Sequence, residues 1–150
     1  MAHNFKKFPE LTDAQMDTEY FNSPHKQITE SFVAAVTKVI DGDTIKVKWS
    51  ERDFEFPIRF INIAAPELKE NGGQESQKWL EKLTLKKTIE AKINKKNRVD
   101  KYGRLLANLL IDGLDVGEMS IMNGMSVPFS RIREGKIIDE IKLPKEFKQW

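Results

Sequence analysis

The sequence predicts an α+β domain, mainly β, in which five strands close into a barrel that carries two to three helices. Three observations point there. Alternating apolar runs are punctuated by Asp-Gly pairs, one helical apolar stripe falls between the third and fourth runs, and the chain has 150 residues, 39% apolar and 32% charged. That length supports one buried core and is short for two. Barrel closure follows because an open five-stranded sheet would leave two unpaired edges.

Residues 1–31 space Phe5, Phe8, Leu11, Met16, Tyr20 and Phe21 irregularly, with no sustained period of 2 or 3.6, and read as an amino-terminal arm. The barrel domain spans 32–130. From Phe32 a β-branched run through Val33, Val36, Val39 and Ile40 reaches Asp41-Gly42, after which Ile45, Val47 and Trp49 alternate with lysines. This is a hairpin, and its Asp-Gly pair is expected to supply the left-handed residues of the turn. FEFPIRFINI (54–63) is the third strand, with Pro57 marking an edge or a bulge. Pro66 and Gly72-Gly73 bracket a loop, and Trp79, Leu80 and Leu83 then form a helical stripe that belongs to the core. TIEAKI (88–93) and RLLANLLI (104–111) are the fourth and fifth strands, the latter running into a second Asp-Gly at 112–113. VGEMSIMNG (116–124) is a short helix stopped by Asn123-Gly124. Residues 131–150 are expected to form a partly helical tail packed on the barrel.

The absence of cysteine excludes disulfides, thiol nucleophiles and thiolate metal sites. His3 and His25 lack a paired ligand at helical or hairpin spacing and read as solvated side chains. No apolar run approaches the roughly 18 residues that span a bilayer. The start MAHNFKKFPELTD has two lysines and no apolar h-region, so the expectation is a soluble, cytoplasmic chain with no membrane partner. The net charge of +2 hides a segregated cation: residues 86–104 hold 8 basic and 2 acidic side chains. That stretch is either a solvated strand and loop or a surface that guides a polyanion, with Lys95, Lys96 and Arg98 as nucleic-acid-binding residues.

Singly, the polar candidates are ordinary. Asp41-Gly42-Asp43-Thr44 suits a hairpin turn, Arg59 a strand facing water, Pro66-Glu67 a turn, and Asp100-Lys101-Tyr102-Gly103-Arg104 a polar entry to the last strand. Together they are the parts of one site for a phosphodiester. Such chemistry needs oxygen ligands for a hard cation, a base to direct water, and cations against the charge on phosphorus. Asp43 offers the ligand, Glu67 the base, and Arg59 with Arg104 planar forks for phosphate oxygens.

In that order, DGDT, an R-x7-E ending in Pro-Glu, and DKYGR resemble the staphylococcal nuclease (thermonuclease) family over residues 33–130. The resemblance implies an OB-type barrel and calcium-dependent endonucleolytic hydrolysis of DNA and RNA, leaving 3′-phosphate and 5′-hydroxyl ends. By the same resemblance Asp43 is a calcium ligand, Asp41 its supporting neighbour, and Ala65 a backbone-carbonyl ligand. Arg59 and Arg104 bind phosphate and stabilise the transition state, Glu67 is the general base, and Lys101 and Tyr102 line the nucleotide pocket. Single-stranded DNA or RNA is the implied partner.

Two departures matter. Ala64 stands where the family pattern has an aspartate that completes the calcium site, so calcium should bind weakly and cleavage should be impaired. The family's tyrosines after the second helix are missing, and Phe129 can only stack on a base. Two accounts stay open. The chain is a nuclease lacking one ligand, or a non-catalytic nucleic-acid- or protein-binding module whose residues 1–30 dock a partner. Glu67 favours the first, because a carboxylate in a pure binding groove only repels phosphate.

Overall fold

Strand β1 (Phe32–Asp41) turns back through Gly42 into β2 (Thr44–Lys48), which pairs antiparallel with β3 (Phe56–Phe60). On its other side β1 pairs with β5 (Thr88–Lys92), and β5 with β6 (Leu105–Ile111). β3 and β6 then pair in parallel, Ile58 opposite Leu105 and Phe60 opposite Ala107, and this ladder closes the five strands into a mixed barrel. The predicted OB-type barrel is therefore the fold. Short strands decorate it: β4 (Ile63–Ala64) pairs with β8 (Val127–Pro128), and β7 (Leu114–Asp115) extends β6. Helix α1 (Asp13–Glu19) lies in the amino-terminal segment, α2 (Gly73–Thr84) packs on β1, and α3 (Val116–Met122) packs on β6.

This computed structural model describes residues 3–129 and two short paired strands, β9 (Ile132–Arg133) and β10 (Lys136–Ile137). Apart from that pair, the tail expected at 131–150 lies outside the described residues.

The core follows the strand alternation. Val36, Ile45, Val47, Phe56, Ile58, Phe60, Ile89, Ala91, Leu105 and Leu109 are buried, and Leu80 of α2 closes one end with Trp79 and Leu83 packed beside it. Each fully buried aliphatic or aromatic side chain contributes about 1.5–3 kcal/mol. Among the described residues no helix is long and apolar enough to cross a membrane.

One local expectation is corrected and another narrowed. Neither Asp41 nor Gly42 takes a positive φ; Gly42 is required because a Cβ there would lie 1.9 Å from Ser76 Oγ and 2.6 Å from Ala65 Cβ. The second Asp-Gly does what was expected of the first, with Asp112 at φ 50° and Gly113 at φ 79° joining β6 to β7. Pro57 marks no bulge, since β3 runs in unbroken register with β2; it sits one residue ahead of the β6 ladder, where that side of the strand is still an open edge.

Residues 1–31, the amino-terminal arm, are stitched to the barrel. Leu11 and Ile28 are buried, and Gln27 bridges the segment by accepting from Leu11 N–H at 2.7 Å and donating to the Pro9 carbonyl at 2.8 Å. The buried Glu10 carboxylate meets Arg52 on one oxygen and Arg98 at 2.9 Å on the other. His3 and His25 are not free in solvent either; their Nε2 atoms pair with the Phe8 and Pro9 carbonyls at 2.7 and 2.8 Å. Arithmetic on apolar spacing misses this segment because its anchors are polar and act across 16 to 88 residues.

Candidate active site

The hairpin turn and β3 meet at the acidic pair. Thr44 stands opposite Arg59 across the β2–β3 ladder, and Phe60 N–H donates to the Asp43 carbonyl at 2.9 Å. Strand alternation turns Arg59 away from the core face of Ile58 and Phe60, yet its side chain is only 13% exposed. It is held there. Nη1 donates to the Phe60 carbonyl and, at 3.2 Å, to that of Ile63, while Nη2 meets Asp43 Oδ2 at 3.4 Å. Asp43 Oδ2 also accepts from Ala65 N–H at 3.0 Å, and Oδ1 from the Thr44 hydroxyl at 3.1 Å. Asp43, Arg59 and Ala65 are thus brought together.

Asp41 accepts from Asp43 N–H at 3.0 Å, which places two carboxylates in one turn. Burial, and after it the charge of Asp43, push the Asp41 carboxyl up from 3.8 to about 6. A carboxyl whose folded value is raised binds protons more tightly in the native state, so its ionisation costs stability as pH rises from 3.8 toward 6. Asp41→Asn keeps the oxygen that accepts from Asp43 and removes that cost. It is expected to stabilise the metal-free protein by about 1–2 kcal/mol above pH 7, after allowance for solvent screening, and by nothing below pH 4. Urea titrations at the two pH values measure this, and an equal gain at both would remove ionisation as the cause.

Arg104 enters from the loop before β6. β3–β6 pairing sets Arg59 beside Leu106, and Arg104 lies two residues before Leu106, one residue ahead of β6. Asp100, which the motif contained without a role, holds it: Oδ2 accepts from Arg104 Nε at 2.8 Å, and Oδ1 from the Tyr102 and Arg104 N–H groups at 2.9 Å. The exposed Tyr102 ring has the Lys101 and Arg104 cations 5.2 and 5.5 Å from its centre. An Asp four residues before an Arg across a Gly turn was the available signal.

Glu67 lies in the exposed loop after β4, and its carboxylate meets no hydrogen-bond partner among the described residues. Its backbone is fixed, because Gly73 lets α2 press against it; a Cβ there would stand 1.8 Å from the Glu67 carbonyl oxygen. Ala64 is buried in β4, between two peptide groups already bound into the site, the Ile63 carbonyl on Arg59 and the Ala65 N–H on Asp43. Pairing of β4 with β8 brings Phe129 over Arg59, ring centre to guanidinium carbon 5.5 Å, with Phe129 N–H donating to the Asn62 carbonyl. Half of the Phe129 surface remains open.

The basic stretch does not form one surface. Arg98 is turned inward and is a correction: it is 3% exposed, donates to the Ile28 and Leu11 carbonyls at 2.8 and 3.1 Å, and neutralises Glu10, so it has no donor face toward a ligand. Lys86 and Lys87 lie at the opposite end of β5 from Lys95 and Lys96, which are exposed in the loop toward Arg104.

For a hard divalent cation the donor set has the right chemistry, carboxylate and carbonyl oxygen, with Asp41 and Asp43 side by side in one turn. It offers two side-chain carboxylates, and among the described residues no group of three or more His, Cys, Asp or Glu converges as a metal site. The residues therefore suit a weakly held ion.

The molecule is thus a closed five-stranded barrel that carries Arg59, tied to an acidic hairpin turn, and Arg104 at the entry to β6. The sequence pattern of the family described as "Staphylococcal nuclease homologue" matches residues 57–145. The chain belongs to the staphylococcal nuclease family. It is 29% identical over 132 residues to Endonuclease YncB of Bacillus subtilis (strain 168), covering 83% of this chain and 62% of that protein. It is 31% identical over 112 residues to the SPbeta prophage-derived endonuclease YokF of the same strain, covering 70% and 37%. An uncharacterized endonuclease of Escherichia coli O157:H7 is 34% identical over 90 residues, covering 59% and 56%. The chain thus spans less than two thirds of the length of each of these relatives.

Proposed function

We propose that this chain is a phosphodiesterase domain acting on single-stranded DNA or RNA with calcium as its cofactor, impaired by Ala64. The observation that carries the reading is the placement of Arg59: a largely buried guanidinium, locked by two carbonyls and Asp43, in the strand that pairs with β6 just past Arg104. Buried arginine with this much fixed geometry binds an oxyanion with little loss of rotamer freedom. Names of the relatives, all endonucleases, support the class of substrate.

In this mechanism the scissile phosphate lies between Arg59 and Arg104, whose donors gain strength as charge builds on the equatorial oxygens. Glu67 takes a proton from a water, whose oxygen bonds to phosphorus opposite the departing 5′-oxygen; the P–O5′ bond breaks and that oxygen takes up a proton. One strand then ends in 3′-phosphate and the other in 5′-hydroxyl. Asp43 and the Ala65 carbonyl, with Asp41 behind them, would hold calcium, which supplies Lewis-acid stabilisation of phosphate charge. Lys101 and Tyr102 flank Arg104 and receive the adjoining nucleotide, Phe129 offers a stacking surface, and Lys95 and Lys96 add to the positive field.

Hydrolysis of single-stranded DNA is expected with calcium, absent with chelator, and lower by about 10²–10³ in Arg59→Ala. Cleavage that persists in chelator, or that is equal in Arg59→Ala, would assign it to a contaminant or another site. The second reading, a non-catalytic binding module, is favoured by Ala64 alone and predicts tight binding with no hydrolysis.

A further inference from the structure

We infer that the amino-terminal segment forms one wall of the nucleic-acid groove and that Lys7 contacts a phosphate flanking the one at Arg104. The inference rests on the reading of Arg104 as a phosphate-binding residue and extends it to a segment outside the motifs. A cleft of about 40 Å³ is lined by Lys7, Glu10, Pro57, Tyr102 and Arg104, so the arm and the DKYGR loop share one concave surface.

The contact is built. Gly103 at φ 82° faces Phe8 so closely that a Cβ would stand 2.7 Å from the Phe8 ring, which makes Phe8 and Gly103 a fitted pair. Lys7 is fixed relative to that ring. Asn4 Oδ1 accepts from the Lys6 and Lys7 N–H groups at 3.2 and 3.1 Å, Phe8 N–H donates to the Asn4 carbonyl at 2.9 Å, and the Lys7 ammonium lies 5.5 Å from the Phe8 ring centre. The turn is thereby closed with Lys7 exposed on the cleft side.

Charge agrees. Glu10 is the acid of the cleft and its carboxylate is consumed by Arg52 and Arg98, while Arg104 has its Nε on Asp100; Lys7, with no ion-pair partner among the described residues, is the cation that leaves the surface positive. Tyr102 beside the cleft supplies a face for the adjoining nucleotide. The ligand chemistry is a backbone phosphate of a single strand passing over Tyr102.

The test is binding of a fluorescently labelled single-stranded oligodeoxynucleotide by anisotropy, with chelator present and salt varied. Lys7→Gln is expected to weaken binding about 5-fold at low salt and to reduce the slope of log K against log[salt] by about 0.7. Lys7→Arg should retain both, and Lys6→Gln should leave both near wild type. Lys7 is exposed, so unchanged melting of Lys7→Gln separates binding from folding. Arg104→Ala is the control for the underlying reading. If it binds like the wild type, the groove itself is misassigned. If it loses binding while Lys7→Gln keeps affinity and slope, or if Lys6→Gln loses as much as Lys7→Gln, the assignment of Lys7 is overturned and the groove stands.

Discussion

Ala64→Asp is expected to raise calcium affinity about 10–100-fold and to bring calcium-dependent cleavage of single-stranded DNA well above that of the unaltered chain. The position is buried at 5% exposure between the peptide groups that bind Arg59 and Asp43, so a carboxylate added there enters the site rather than the solvent. It would join an acidic pair in which burial, and after it the charge of Asp43, already push the Asp41 carboxyl up to about 6. Without a cation, the third anion should destabilise the fold by about 1–3 kcal/mol. With calcium at 100 times its dissociation constant, binding returns about 2.7 kcal/mol. Melting with and without calcium, calorimetric titration and an oligonucleotide cleavage assay read the three effects. Restored calcium binding without cleavage would sink the enzyme reading and leave a binding module. Calcium that fails to stabilise Ala64→Asp would sink the metal site.

Glu10→Gln is expected to cost about 3–5 kcal/mol, a large share of the usual 5–15 kcal/mol of a domain. It leaves Arg52 and Arg98 buried without a counter-charge. Arg52 is the more exposed to this loss. Its Nε and Nη1 lack hydrogen-bond partners, and its charge otherwise rests on the faces of Trp49, Phe54 and Phe56, with centroids 5.7, 5.3 and 4.6 Å away. Burial already holds the Arg52 guanidinium below its ordinary value, against the opposing pull of Glu10. For a chain of this size the melting point should fall by roughly 10 °C. A change under 1 kcal/mol would mean that the segment is only laid on the barrel, and would reopen the expectation that residues 1–30 are free to dock a protein partner.

Both predictions turn on residues that the sequence shows very differently. Ala64 is legible because the family resemblance implies an aspartate at that motif position, five residues after Arg59, and the chain has no carboxylate there. Glu10 has no such signal: an acid in an irregular polar stretch gains its role from Arg52 and Arg98, 42 and 88 residues away. Arg98 was misread for the same reason, since a cation inside a basic run looks like surface until its partner folds over it. Asp41-Gly42 was read as a left-handed turn from its dipeptide, whereas the glycine is required by Ser76 and Ala65, which local chemistry does not reveal.

Strand periodicity and the helical stripe of α2 were enough to predict the five-stranded barrel, and three ordered motifs the family, whose resemblance in turn implies the set Asp43, Arg59, Glu67, Arg104 with its gap at Ala64. These are properties of neighbours along the chain, where backbone geometry alone sets which side chains share a face. Folding decided which cations remain on the surface, that Asp100 holds Arg104, and that Lys7 joins the groove while Glu10 locks its own segment down. Those outcomes depend on burial and on charge pairing across the barrel, and a buried charge is stable only where a distant partner has already been placed.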